Sequence, residues 1–215
     1  MAWKPGAAAT SSDGKMIRTP DGNAVFFSGA FYVLQTPLTA QTTNTVSTLF
    51  TNDTTAVAGV YPTVNLGVPP FAQDPGSTRV LPAGCLQPGT MFNADFYGIG
   101  TFTANTLVLS FGLIGPYPAT TYTVISTTPA TTATASGAGS FFHLSFGCSV
   151  TSVGTTGTLT GFIAAEYAPT GVMTTGPLVA TTFDTTQQYT MDVRATWGAG
   201  ANSLQLCYGA IEVIG

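Results

Sequence analysis

The one histidine of this chain, His143, has the residue types of a hydrolytic triad if a serine and an aspartate lie beside it. It alternates with apolar residues in a predicted strand, which places its side chain on the polar side of that strand. No Gly-x-Ser-x-Gly turn is present to expose a nucleophilic serine. The sequence therefore favours an exposed or interface histidine over a catalytic residue, and also over a pH sensor at a subunit axis.

Paired carboxylates are the second kind of chemistry to consider, because two acids at a fixed separation cleave glycosidic bonds. The acids occur singly, at Asp13, Asp21, Asp53, Asp74, Asp95, Glu166, Asp184, Asp192 and Glu212. Their spacing pairs no two of them, and the sequence has neither an Asp-rich calcium loop nor a Cys-x-x-Cys zinc motif. We therefore predict that the protein is not an enzyme and uses no cofactor or metal.

Asp192 and Arg194 stand two residues apart and so share one face of a predicted strand. The sequence favours an ion pair across strands, with Asp95 or Glu212 as a partner within reach. The alternative is a contact between subunits, in which a buried pair fixes the register of two copies.

Charge is scarce and unevenly placed. Charged residues make up 7% of the 215 positions, against about a quarter in an ordinary soluble domain. Three of the five cations lie in the first 18 residues with one acid, whereas the rest of the chain has two cations and eight acids. The sequence thus predicts a weakly basic arm before an acidic body, and a nucleic-acid partner is not expected.

Three cysteines cannot all pair within one chain, so Cys85, Cys148 and Cys207 are expected to be reduced, with assembly in a cytoplasm. No apolar stretch follows Lys4, and no run of 18 apolar residues occurs. We therefore expect neither a signal peptide nor a membrane partner.

The elements that must position these residues are strands, because apolar residues recur with period two and threonine makes up nearly a fifth of the chain. The predicted strands are 24–34, 45–51, 90–102, 106–115, 120–126, 141–153, 156–167, 177–183, 189–197 and 203–214. Residues 127–140 are low in complexity and are interpreted as an exposed loop. This pattern predicts an all-β protein, an antiparallel β-sandwich of jelly-roll type, with an extended N-terminal arm at 1–22 and a single domain at 23–215.

Several segments resemble structural proteins of tailed bacteriophages. They are Leu-Pro-Ala-Gly-x-Leu-x-x-Gly before a Phe-rich strand, Ser-Val-Gly-x-Thr-Gly-Thr-Leu as a hairpin, and a penultimate strand ending at Trp197 before Ala201-Asn202-Ser203. The resemblance covers roughly residues 80–215. It implies a virion part, either a capsid decoration (cement) protein or a fibre tip, with a jelly roll similar to tumour necrosis factor that associates as a trimer. It implies no catalytic residue.

We expect a homotrimer that binds the major capsid protein on the outer surface of an icosahedral head and stabilises it. The arm is expected to dock on the shell through Trp3, Lys4, Lys15 and Arg18. Phe and Tyr from strands are expected at the trimer interface. The alternative is a tail or head fibre tip or receptor-binding protein, which normally follows a long shaft that this sequence lacks. A small glycan hydrolase and a principal shell protein are further alternatives, disfavoured by the scattered acids and by the few cations.

Overall fold

The computed structural model describes part of the chain. The described residues are 16–18, 24–26, 29–34, 37–42, 47–50, 80–81, 83–84, 86–116, 119, 121–132, 135, 137–167, 172–198 and 202–214. Every regular element in this part is a β-strand, and every pairing between strands is antiparallel. The prediction of an all-β fold is therefore confirmed.

The strands follow the predicted alternation closely in the second half of the chain. In chain order they are β1 (Met16–Arg18), β2 (Ala24–Phe26), β3 (Gly29–Leu34), β4 (Ser47–Thr48), β5 (Val80–Leu81), β6 (Met91–Thr101), β7 (Thr106–Ile114), β8 (Tyr122–Thr127), β9 (Thr131–Thr132), β10 (Ser140–Ser152), β11 (Gly157–Tyr167), β12 (Val172–Thr175), β13 (Val179–Phe183), β14 (Tyr189–Trp197) and β15 (Ser203–Ile214). Along β6 and β11 buried and more exposed residues alternate at every position, as expected for strands with one face on a core.

Two sheets form the sandwich. The large sheet has the order β12-β11-β10-β6-β15-β3, with β13 also paired to β11, and the small sheet has the order β4-β14-β7-β8, with β5 on β14 and β9 on β7. The principal strands pair in nested fashion: β3 with β15, β4 and β5 with β14, β6 with β10, and β7 with β8. First pairs with last and each inner pair lies within the outer one, which is the connectivity of a jelly roll.

The core lies between the two sheets and is rich in phenylalanine. Phe111 of the small sheet and Phe146 of the large sheet meet across the layers, with ring centroids 4.4 Å apart. Phe96 stacks on Phe146 at 6.1 Å and receives the edge of Phe50 at 5.4 Å. Burial of each such ring stabilises the fold by about 1.5–3 kcal/mol, and these contacts pack the large sheet against the small sheet.

Two segments expected to be irregular contain short strands. Met16–Arg18, inside the predicted arm, pairs with Ala24–Phe26, inside the predicted domain. The two strands therefore lie on opposite sides of the predicted boundary at residue 22. Thr131–Thr132, inside the predicted loop 127–140, pairs with Thr106 and Leu107 at the end of β7. Such pairs of two or three residues are too short to produce a recognisable alternation, which explains why the sequence did not predict them.

Candidate interaction surface

A register shift in the last strand decides which of its side chains face outward from the large sheet. β15 pairs Leu206 with Gly98 and then Tyr208 with Tyr97, so Cys207 is an extra residue in a β-bulge. Before the bulge the even-numbered residues are buried, and after it the odd-numbered ones are. A bulge re-aims the side chains that follow it, and here it turns Tyr208 outward beside Tyr97.

Three outward-facing rings form a continuous row across β15, β6 and β10. Tyr208 stacks on Tyr97 with centroids 5.0 Å apart, and Tyr97 stacks on His143 at 4.6 Å. The rings are nearly parallel, with interplanar angles of 17° and 9°. Phe141 lies next to this row, with its ring 6.3 Å from that of Tyr97. Neighbouring strands in register bring such side chains together and hold them upright on the sheet.

Most of the exposed large apolar side chains lie on this same side of the large sheet. Of the eight found among the described residues, five project from it: Met91, Ile99, Phe141, Tyr208 and Ile214. Register places Ile214 beside Met91 at one end and Phe141 beside Ile99 at the other. We call the outward side of β6, β10 and β15 the aromatic face. Exposed aromatic residues and methionine gathered on one side of a sheet are typical of a protein interface.

The charged groups of the aromatic face are acidic. Asp95 on β6 and Glu212 on β15 border a depression of about 130 Å³, together with Asn93 and Ala210. The side chain of Asp95 is 58% exposed, and its Oδ1 lies 3.0 Å from Nε2 of His143. Glu166 on β11 stands opposite His143 in the strand register. No strand of the large sheet contains a lysine or an arginine, so among the residues of these strands His143 is the one basic group.

A groove of about 180 Å³ runs along the same side of the sheet, over Gly147. Met91, Phe162 and Leu178 supply its apolar walls. A Cβ on Gly147 would stand 2.8 Å from the ring of Phe162 and 2.9 Å from the carbonyl oxygen of Phe92. Glycine at this position therefore keeps the floor of the groove open.

The predicted ion pair at Asp192 and Arg194 forms differently from expected. Asp95 and Glu212 lie on the large sheet, whereas Asp192 and Arg194 lie on the outer side of the small sheet and bind each other, Nε to Oδ2 at 3.0 Å. The expectation of a partner on another strand was wrong, because the two acids belong to the other layer. The subunit contact at this pair stays a prediction.

The pair is set in a buried polar cluster. The Asp192 side chain is 1% exposed and also accepts a hydrogen bond from the hydroxyl of Thr48. The guanidinium of Arg194 lies 3.9 Å from the ring centroid of Tyr122, whose hydroxyl donates to the carbonyl oxygen of Ser110 at 2.9 Å. Burial raises the pKa of Tyr122, which keeps that hydroxyl a donor. These contacts fix Arg194 in one orientation.

The predicted docking residues fall mostly outside the part of the chain that is described. Trp3, Lys4 and Lys15 lie outside the described residues, and Arg18 ends β1 opposite Ala24. Cys85 also lies outside them, while Cys148 is a buried free thiol and Cys207 is a partly buried free thiol at the bulge. The structure therefore leaves the docking role of the arm a prediction.

His143 and Asp95 are hydrogen-bonded, as the histidine and aspartate of a hydrolytic triad are. Among the described residues, however, no serine or cysteine side chain is hydrogen-bonded to the imidazole as a nucleophile would be. The same residues contain no group of three or more His, Cys, Asp or Glu side chains close enough to share a metal ion. None of them belongs to a helix long and apolar enough to cross a membrane. What these residues do show is a row of rings flanked by carboxylates on the outer side of one sheet.

Comparison with known proteins adds no relative. The sequence matches no protein-family model, and the search of curated proteins gives no significant match.

The stacked tyrosines, Tyr97 and Tyr208, are candidate surface residues that sequence reasoning left unassigned. A signal for them exists in the spacing of β15, where Leu204 and Leu206 are followed by Ile211 and Val213. The change from even to odd apolar positions indicates a bulge between them, and a bulge there turns Tyr208 outward.

Proposed function

We propose that the protein is a virion structural protein, a capsid decoration protein that associates with copies of itself as a trimer and stabilises the outer surface of a phage head. The observation that carries this proposal is the aromatic face. Only 7% of the residues of this chain are charged. Its stacked rings and its exposed Met and Ile side chains are removed from water when another protein surface covers them, which is favourable.

A second copy of the chain fits this face better than a nucleic acid does. The face and the adjoining strand β11 have three carboxylates, and the strands of the large sheet contain no lysine or arginine. Phosphate groups would be repelled, whereas rings, Met and Ile are the side chains that form the centre of a subunit contact. The jelly-roll connectivity agrees with the fold that the resemblance to phage structural proteins implies.

Burial of the aromatic face between subunits leaves the opposite side of the molecule outward. The outer sides of the two sheets in a sandwich point in opposite directions, so the small sheet, with Arg194, would face away from the subunit contact. That side and the basic arm are then available to the shell. Three arms on one trimer raise the effective concentration of each for its site and strengthen a weak attachment.

Stabilisation of the head follows from linkage. A trimer that binds the intact shell and not its separated subunits adds free energy that must be lost before the shell opens. No covalent chemistry is needed for this function, in keeping with a role for the rings and charges in contact alone.

Binding of the purified protein to empty heads tests the shell partner. The full chain should co-sediment with heads, and a variant lacking residues 1–22 should remain an oligomer but lose this binding. A truncated protein that binds as well as the full chain would remove the arm from the proposal. Gel densitometry of purified particles gives the copy number, which is in the hundreds for a decoration protein and in the tens or fewer for a fibre tip. A low copy number would favour the fibre tip.

A further inference from the structure

We propose that protonation of His143 strengthens self-association through the aromatic face, so that assembly is favoured at mildly acidic pH. This inference rests on the proposed function, since it requires that the aromatic face be buried between copies. It concerns the regulation of that contact.

His143 ends the row of stacked rings on β10, and both strands beside β10 supply a titratable group. Nε2 lies 3.0 Å from Oδ1 of Asp95 on β6, and the ring stacks on Tyr97 of the same strand at 4.6 Å. Glu166 of β11 stands opposite His143 in register. One strand further, β15 supplies Tyr208 and Glu212. The imidazole is therefore flanked by Asp95 and Glu166 on its two neighbouring strands and stacks on Tyr97. Glu212 stands opposite Asn93, four residues along β6 from Tyr97, and adds to the charge of this side of the sheet without flanking the imidazole.

The balance of charge on the face depends on this one imidazole. With His143 neutral, Asp95, Glu166 and Glu212 carry three negative charges, and the large sheet has no lysine or arginine to offset them. Association brings the carboxylates of several copies together and removes water, which increases their repulsion and the cost of burying each charge. Protonation makes His143 the cation that pairs with Asp95, and the imidazolium also gains from the face of the Tyr97 ring.

The direction of the pH effect follows from this arrangement. Burial at the contact removes water from the imidazolium, which disfavours its charge, but the His143 side chain is only 21% exposed in the single chain, so little of this cost is left. We expect the stronger pairing with the carboxylates in the low-dielectric contact to exceed it, so that the positive imidazole is worth more in the assembled state. Assembly therefore takes up protons, and linkage requires that it become stronger as the pH falls.

The experiment is a measurement of the association constant of the full chain by sedimentation between about pH 7.5 and about pH 5.5, the range in which histidine changes charge. The association constant should rise by about tenfold per pH unit for each proton taken up. His143→Gln keeps a polar side chain of similar size but cannot become a cation, and it should remove most of the pH dependence. Because the chain has one histidine, no other imidazole masks the effect.

Asp95→Asn supplies a second variant that removes the carboxylate nearest to the ring, and it should reduce the pH dependence while improving association near neutral pH. Circular dichroism confirms that each variant is folded. An association constant that stays the same at all these pH values would overturn the inference. A His143→Gln variant that keeps the full pH dependence would overturn it as well. Either result would leave the proposed function standing. A chain that is monomeric at every pH would instead contradict the proposed function.

Discussion

The ring of Tyr208 lies 5.0 Å from the ring of Tyr97, with 17° between their planes, and this contact depends on one extra residue in the last strand. Tyr208 is 60% exposed in spite of the stack, so one of its faces has no cover in the single chain. An aromatic ring held upright by its neighbour loses little conformational freedom when a partner covers it. The bulge thus places a stacked, largely exposed ring on the outer side of the sheet.

Tyr208→Ala should weaken self-association by about 2 kcal/mol, roughly thirtyfold in the dissociation constant, because an exposed aromatic anchor is removed. Val153→Ala is the matched control, since Val153 is 45% exposed but lies in a turn away from the aromatic face. Size-exclusion chromatography with light scattering measures both variants. Equal association of the two would show that the aromatic face is not the contact.

Gly98→Ala should destabilise the fold, because a Cβ at this position overlaps the carbonyl oxygen of Gln205 on the neighbouring strand. Backbone cannot move aside as a flexible side chain does, so we expect a loss of about 2–3 kcal/mol in the free energy of unfolding. Gly137→Ala is the control, since nothing lies within 4 Å of a Cβ there, and its effect should stay within about 0.5 kcal/mol. Urea denaturation measures both. A Gly98→Ala protein of unchanged stability would contradict the close approach of β6 and β15 at the bulge.

Arg194→Met should cost more stability than Asp192→Asn. Loss of Arg194 leaves a carboxylate that is 1% exposed without its cation, and we expect a cost of about 3 kcal/mol. In Asp192→Asn the amide oxygen can still accept from Nε of Arg194, and the amide nitrogen then faces the Thr48 hydroxyl, which can turn to accept. The Arg194 side chain is 24% exposed, so the cost should be about 1 kcal/mol. Urea denaturation of the two variants gives the order. The reverse order would contradict this account, because it would mean that Arg194 without its carboxylate costs more stability than Asp192 without its cation.

Stability should fall at alkaline pH because of Cys148. Burial raises the pKa of its thiol to about 12, whereas an unfolded cysteine ionises near pH 8.5. The folded chain holds the proton more tightly, so this contribution to stability is fully present below about pH 8.5 and declines above it, by about 1.4 kcal/mol per pH unit.

Chemical denaturation between about pH 8 and pH 10, below the ionisation of most tyrosines, measures this decline. Cys148→Ala should be less sensitive to pH over the same range. A wild-type protein whose stability does not change there would contradict the burial of the thiol.

The sequence was sufficient to predict the sheets where the alternation is long. β10 shows why: Phe142, Leu144 and Phe146 are buried, and His143 between them projects outward, as the period of two requires. β14 follows the same rule on its core side, where Met191, Val193 and Ala195 are buried, although Thr190 and Asp192 on its outer side are buried as well. In these strands local pattern and tertiary burial agree, so composition and spacing alone locate the core.

The candidate surface could be predicted only in part. Aromatic residues from strands were expected at a subunit contact, but the stack of Tyr208 on Tyr97 depends on which residues of two distant strands stand opposite each other. Strand pairing across more than 100 residues is a property of the whole fold and leaves no trace in local spacing. The same reason explains the wrong partner for Arg194, since the sequence does not say which layer each strand joins.

Sedimentation equilibrium of the unmodified full chain over a wide range of concentration tests most directly whether the aromatic face is a contact between copies. We expect a species of three times the chain mass of 22.0 kDa at high concentration, in equilibrium with single chains on dilution. A single chain of 22.0 kDa at every concentration would contradict the account.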